Sequence, residues 1–490
     1  MLLPTMKSRS MLPLAKLLSS PAQQTLLRER LVWRSLGISR HGGSVSSAQF
    51  GSIRRQAFGR VLCRRVLPAT LANALVFSAV GAWAQTTLTL SEAQRRAVER
   101  SRQLTAQDSA IVASREMAVA AGQLPDPVAT LGINNLPING EDAWSVTRDF
   151  MTMRSVGVMQ ELTRAEKREA RAERFEREAD KSLAEKSVTV AAIRRDTALA
   201  WLDRYYAEAM LAVVSEQSRQ ARSEIEAAES AYRAGKGNLA DVLTARSALV
   251  GLDDRTSELS RKASTAKIAL ARWVGDIAAA PLAGTPSIDP IPLDPRTLDT
   301  DLAHHPEIAV LARKEEIAAA EVRVAQASKK ADWSVALMYS QRGPAYSNLI
   351  SVNVSVPLQW DQKNRQDREV AAKLAMLDQA RAEREDMLRA HVAGARAMIA
   401  EWENDRERSA RYQRELLPLA SERTQATLGA YRGGKAGLTD VLVARRNELD
   451  VRMQALQLEM ETARLWAQLN FLVPAGDERH LGPTHGKESQ

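Results

Sequence analysis

The sequence predicts an α+β fold in which long helical hairpins carry a small set of amphipathic strands, arranged as two internal repeats. Three observations predict it. A turn motif occurs twice, helical stretches run too long for an ordinary globular domain, and four short segments alternate apolar with polar residues.

The repeat comes first. Residues 231–246 read AYRAGKGNLADVLTAR and residues 430–445 read AYRGGKAGLTDVLVAR. Tyr232 and Tyr431, Gly235 and Gly434, Lys236 and Lys435, and Asp241 and Asp440 are each 199 positions apart. Solenoid units repeat every 20–50 residues or so, so this spacing predicts two copies of one large half. They are assigned to 85–285 and 286–474, followed by a polar tail at 475–490. Each half opens on a short amphipathic helical stretch, Leu90–Gly122 or Leu298–Ser328, with Ser91 as the expected N-cap of the first. A pair of strands follows, then a helical hairpin.

The hairpins carry the strongest signal. From Arg164 to Ala234 there is no Pro and no Gly. A helix of about 65 residues would be roughly 100 Å long. Its counterpart runs from Gln366 to Arg432, where Gly394 and Pro418 predict a local bend. Return helices are expected over Ala240–Trp273 and Thr439–Phe471. Gly235, Gly237, Gly433, Gly434 and Gly437 mark the turns. The plainest reading of such helices alone is an elongated coiled-coil scaffold.

The alternating segments argue against that reading. Trp333, Val335, Leu337 and Tyr339, at every second position, are large and apolar. Ile350, Val352, Val354 and Val356 alternate with Ser351, Asn353 and Ser355. The first half repeats the pattern with Ala129, Leu131 and Ile133, then Val156 and Val158 beside Ser155 and Gly157. Period two with one apolar face is the mark of a strand. About ten residues is the length a tilted strand needs to cross a bilayer. Four such strands cannot close a barrel, and an open edge in lipid leaves backbone groups unsatisfied. The chain must then share a barrel with copies of itself. A dimer reaches the usual minimum of about eight strands; the residues themselves do not choose between a dimer and a trimer.

Charge points away from nucleic acid. The formal net charge is +9, but residues 1–84 hold 12 Lys/Arg against the single acid Glu29. That segment carries +11, which leaves −2 for the remainder. Arg54, Arg55, Arg60, Arg64 and Arg65, the apolar run Val66–Val80 and the small-x-small site Ala82-Trp83-Ala84 make 54–84 a signal peptide with a mature start at Gln85. Residues 1–53 are an unassigned leader or a mis-annotated start. Cys63, the only cysteine, falls within the leader, so the mature chain has no disulfide and no thiolate metal site. None of His41, His304, His305, His391, His480 or His485 has a partner at zinc-ligand spacing. No phosphate loop or nucleophile elbow appears. The sequence therefore predicts no enzyme, no cofactor and no metal site.

With these features in place, the chain resembles the TolC-like outer membrane efflux family over Leu88–Val473. The resemblance rests on the opening LTLSEAQRRAVERSRQL with its second version LDTDLAHHPEI, on the strand segments VGVMQEL and VNVSVPLQW, and on the paired YRxGKxxLxDVLxAR turns. It implies a homotrimer whose four strands per protomer complete a 12-strand barrel in the outer membrane, continued by an α-helical barrel through the periplasm. It also implies a periplasmic adaptor and an inner-membrane pump of the resistance-nodulation-division type as partners. The channel would be a passive exit duct. The segment DFMTMRSVGVMQELTRAEKREAR is similar to the heavy-metal branch, the CusC-type and CzcC-type channels, which implies copper or silver as cargo. Drugs, or polypeptides leaving through a type I exporter, are the other cargoes the family would carry.

The resemblance also implies where function lies. The repeated turns would form the periplasmic tip, where the pore closes and the adaptor docks. Tyr232, Lys236, Asp241, Tyr431, Lys435 and Asp440 are the candidate gate residues, on turns shaped by Gly235, Gly237, Gly434 and Gly437. The family's basic lock residue, two positions after the second turn's glycine, is Ala436 here. A looser polar ring of Lys236, Lys435, Asp241 and Asp440 is the expectation; the simpler role for the two Asp residues is capping the return helices. Met151, Met153 and Met159 share one parity on the second strand, and Met338 lies on the polar side of the third. That side should face the lumen, where thioethers would be soft ligands; ordinary packing is the simpler role.

Overall fold

The computed structural model describes residues 87–286 and 289–472. The leader 1–53, the signal peptide 54–84 with its cleavage before Gln85, Cys63, His41, and the tail 475–490 with His480 and His485 lie outside the described residues.

Each opening helical stretch is two helices. The first, α1, spans Leu90–Arg100 and the second, α2, Arg102–Ala121. Ser101 ends one and caps the other, its hydroxyl accepting from the Leu104 amide at 3.4 Å. The cap of α1 is Thr89, whose Oγ1 accepts from the Glu92 amide at 3.2 Å. Ser91, the expected cap, already belongs to the helix. The cap must be extended while its hydroxyl reaches the amide three residues on, and Thr89 meets both conditions.

Four strands form one antiparallel sheet in the order β1 (Val128–Asn134), β2 (Met153–Leu162), β3 (Trp333–Gln341) and β4 (Leu349–Ser355). β2 and β3 are 10 and 9 residues long, and β1 and β4 are 7 each. The register lines up the alternation. Leu131 faces Val156, which faces Tyr339, which faces Ile350. Ala129, Val158, Leu337 and Val352 form the next row. Opposite faces alternate along a strand, so these apolar residues share one side, with Leu131 80% and Ile350 73% exposed. The other side carries Thr130, Gly157, Met338 and Ser351 in one row and Gly132, Ser155 and Ser340 in another. Within the described residues β1 and β4 each have a single strand neighbour.

The long helices lie close to their expected bounds. α3 runs unbroken over Ala165–Arg233, 69 residues, and α4 returns over Leu239–Val274. α5 (Leu298–Ala303) and α6 (Pro306–Ala327) flank His304 and His305. α7 spans Gln366–Arg411, a π-helical turn follows at Tyr412–Leu416, then α8 (Leu417–Arg432) and α9 (Leu438–Asn470). The interruption arises at the π turn, just ahead of Pro418. There an extra residue per turn accommodates the missing proline amide. Gly394 does not interrupt α7. A helical glycine costs only about 1 kcal/mol relative to alanine, and α7 is held along its length by α6 and α9.

The main core gathers where α1, α3, α4, α7 and α9 meet. Trp201, Leu202, Leu270, Leu298, Ala395 and Ala467 are fully or almost fully buried there. Alanines at the contacts let the helices approach closely. Trp201 donates its indole N–H to the Leu88 carbonyl at 3.1 Å. The buried Arg204 guanidinium donates to the carbonyls of Ala278 and Ala280 at 2.6 and 3.0 Å and to Glu208 at 2.6 Å. A buried charge persists only when its donors are satisfied in this way. The core thus fixes the base from which both hairpins project to their turns.

Candidate functional site

Both repeated turns close by the same backbone device. Gly235 has φ +71° and Gly434 φ +69°, a region open to glycine and costly to other residues. The Gly235 amide donates to the Tyr232 carbonyl at 3.0 Å and the Lys236 amide to the Ala231 carbonyl at 2.9 Å. Gly434 donates to Tyr431 at 3.0 Å and Lys435 to Ala430 at 2.8 Å. This is the Schellman pattern. It explains why glycine stands at 235 and 434; the bonds at tyrosine and lysine are main-chain ones. The side chains of Lys236 and Lys435 are exposed and form no ion pair among the described residues. A Cβ at Gly237 would sit 3.0 Å from the Tyr232 nitrogen, a tight contact, although the second turn carries Ala436 at the same place.

The two turns are capped differently, and this separates the two aspartates. Asn238 caps α4, accepting from the Ala240 amide at 3.0 Å. Asp440 caps α9, its Oδ2 accepting from the Gly437 amide at 3.0 Å. With Asn238 in place, Asp241 is free for another partner and accepts from the Thr439 hydroxyl at 3.4 Å. The two turns are therefore neighbours in one chain. Tyr431 is half-buried against the cluster of Ile225, Val242 and Leu438, whereas Tyr232 is exposed.

Sequence reasoning missed a second link between the hairpins. Arg445, the last residue of the second motif copy, places Nε 2.5 Å from Glu224 Oε1 on α3. The contact is an ion pair without hydrogen-bond alignment; Arg445 Nη1 also donates to Gln220 at 2.8 Å. Its counterpart Arg246 pairs instead with Glu229 inside its own hairpin, at 2.6 Å. The invariant arginine closing both copies was the available signal, but which acid it would choose depends on hairpin packing.

Met153, Met159 and Met338 do lie on the polar side of the sheet, opposite Asn134, Ala336 and Gly157 respectively. Met151 does not join them by alternation. β2 begins at Met153, and Met151 sits in the preceding loop with its amide donating to Asp149 at 2.8 Å.

A second cluster is one that spacing along the chain did not reveal. His305 Nδ1 accepts from the Glu307 amide at 3.2 Å and so caps α6, with Pro306 in the first helical turn where its missing amide is harmless. His391 on α7 reaches Glu307 at 3.0 Å. Burial, then the neighbouring His391, push the His305 imidazole down to about 4. The fold thus joins histidines 86 positions apart.

No protein-family model and no curated protein sequence matches the chain. Solved structures do. The outer-membrane channel OprN superposes with a TM-score of 0.63 at 17% identity, over 78% of this chain and 89% of that one. The fold is that of the outer-membrane channels. The outer membrane protein VceC from Vibrio cholerae gives 0.62 at 18% identity, over 78% of this chain and 95% of that one. CusC, whose structures concern transmembrane channel formation, gives 0.62 at 15% identity, over 78% and 91%. At such identities the likeness is one of fold. These channel-fold proteins are not enzymes. They combine long helices with a small antiparallel sheet, as this chain does. No described helix is long and apolar enough to cross a membrane.

Proposed function

We propose that this chain is the outer-membrane channel of a tripartite efflux system. Three protomers, each built from two structural repeats, complete a 12-strand barrel, and their hairpins form a helical barrel in the periplasm. The observation that carries the reading is the sheet, with one face apolar and exposed and both edges open. An apolar outer face is what lipid requires, and open edges in lipid need partners. The channel fold of the solved structures agrees with it.

In this reading the channel is a passive duct. A periplasmic adaptor and an inner-membrane pump of the resistance-nodulation-division type deliver the cargo, which we take to be heavy-metal cations such as copper or silver. Tyr232, Lys236, Asp241, Tyr431, Lys435 and Asp440 belong to the tip. Contacts such as Thr439 to Asp241 hold it narrow until the adaptor engages. Met153, Met159 and Met338 line the lumen, with Met151 beside its outer mouth.

The deciding experiment is made on outer-membrane fractions from cells expressing the full chain. Unheated and heated samples are compared on a denaturing gel, and the mature N-terminus is sequenced. A heat-labile trimer beginning at Gln85 is expected. A soluble or inner-membrane product with its leader intact would overturn the reading. For the cargo, metal tolerance is compared between the wild type and a variant with all four methionines replaced by leucine. Loss of tolerance is expected if the thioethers meet the cargo, and unchanged tolerance removes them from the path.

A further inference from the structure

We infer that His305, Glu307 and His391 form a binding site for a divalent transition-metal cation, seated between the start of α6 and the middle of α7. It stands on its own geometry and does not depend on the efflux reading. One ligand atom from each residue lies within 4.8 Å of the others. Two imidazoles and one carboxylate are a ligand set suited to zinc, with room for water in the remaining position.

The surroundings favour it. The three residues open onto a cleft of about 450 Å³ between α3, α6 and α7, which gives an ion an entry path and space for a coordinated water. His305 is buried at the edge of this cleft. Glu307 supplies the negative charge and is half-exposed, so its carboxylate can rotate toward an ion. Arg195 also borders the cleft, but its guanidinium is engaged by Asp196 at 2.9 Å. Met387 and Met398 complete the wall on α7.

The closure needed is small. A zinc ion about 2.0–2.1 Å from each ligand holds them roughly 3.3 Å apart. Glu307 and His391 are already 3.0 Å apart. His305 Nδ1 would exchange its 3.2 Å bond from the Glu307 amide for the metal. An ion held this way would bind α6 to α7, which otherwise meet through helix packing and the ion pairs of Glu315 with Arg381 and Arg384 and of Glu321 with Lys373.

The test uses the tag-free full chain purified in detergent, titrated with zinc chloride against a chromophoric chelator. One zinc per chain is expected in the wild type. His391→Ala and Glu307→Gln should each weaken it by more than about tenfold, while His304→Ala, next to the site but outside it, should bind as the wild type does. Glu307→Gln keeps shape and sits at the rim, so it answers the question even if His391→Ala fails to fold. A wild type that takes up no zinc, or a Glu307→Gln chain that binds it as tightly as the wild type, would overturn the assignment. Neither result depends on whether the chain is found in the outer membrane.

Discussion

The Thr439 hydroxyl donates to Asp241 Oδ1 across 3.4 Å, joining the first turns of two return helices that lie 198 positions apart in the chain. Behind it Arg445 and Glu224 meet on α9 and α3. Together these contacts tie one hairpin to the other near the turns. Asp241→Ala removes one exposed hydrogen bond and should cost less than about 1 kcal/mol of stability. Glu224→Gln breaks a pair whose side chains are only 19% and 16% exposed, and should cost about 1–3 kcal/mol. In the proposed channel, both should raise the resting conductance in planar bilayers. A double variant with wild-type resting conductance would remove these contacts from the gate.

The turn glycines predict a contrast. Gly434→Ala places a side chain at φ +69° and should destabilise by about 1 kcal/mol. Gly437→Ala should be close to neutral, because its φ is −82° and the nearest heavy atom to the new Cβ is Asp440 Oδ2 at 3.6 Å. Thermal unfolding of the two purified variants compares them directly.

Acid should loosen the junction of α3, α6 and α7. Burial raises the Glu321 carboxyl, but Lys373 at 2.8 Å and Arg174 at 3.2 Å outweigh it, and the net shift is downward from the ordinary value near 4.5. A carboxyl whose folded value is depressed contributes stability that is complete above its unfolded value and disappears as pH falls through the folded one. The difference in melting temperature between the wild type and Glu321→Gln, followed from pH 7 downward, should therefore hold until about 4.5 and then shrink. Glu321→Gln should start lower and decline less steeply. Parallel curves for the two proteins would exclude Glu321 as a source of the loss.

The two faces of the sheet should respond oppositely to charge. Leu337 and Val352 face each other on the apolar side. Leu337→Arg should cost about 2–4 kcal/mol if that side meets lipid at mid-depth, with loss of the heat-labile trimer. Ser351→Arg, on the other side, should leave the trimer intact. Equal yields of trimer from both variants would refute the assignment of faces.

Much of this molecule could be read without coordinates. α3 was legible because nothing in residues 164–234 interrupts a helix. The strands were legible because alternation reports a two-sided environment directly. What escaped depended on packing or on competition between neighbours. Thr89 and Ser91 are both good caps, and the extended backbone at Thr89 decides between them. Ser101 breaks a helix that periodicity alone would join. Gly394 and Pro418 looked like equal breakers, yet only the one lacking an amide forces a change in winding. His305 and His391 are silent in sequence because a ligand-spacing rule looks along the chain, while the fold joins them across it. Asp241 and Asp440 occupy the same place in a repeated motif, and two changes nearby, Asn238 for Gly437 and Thr439 for Ala240, send their carboxylates to different partners.

The unpaired flanks of β1 and β4 have a consequence for biogenesis. Each presents a row of main-chain donors and acceptors that will bond to any extended strand of suitable length. In the proposed assembly, the contact that completes a ring and the contact that begins an aggregate are chemically the same bond. A newly made chain is therefore adhesive before it is finished, and its fate depends on which strand arrives first. Overproduction should lower the recovered fraction more than proportionally, and whatever escorts the chain to its destination must shield those two flanks until sister copies are at hand.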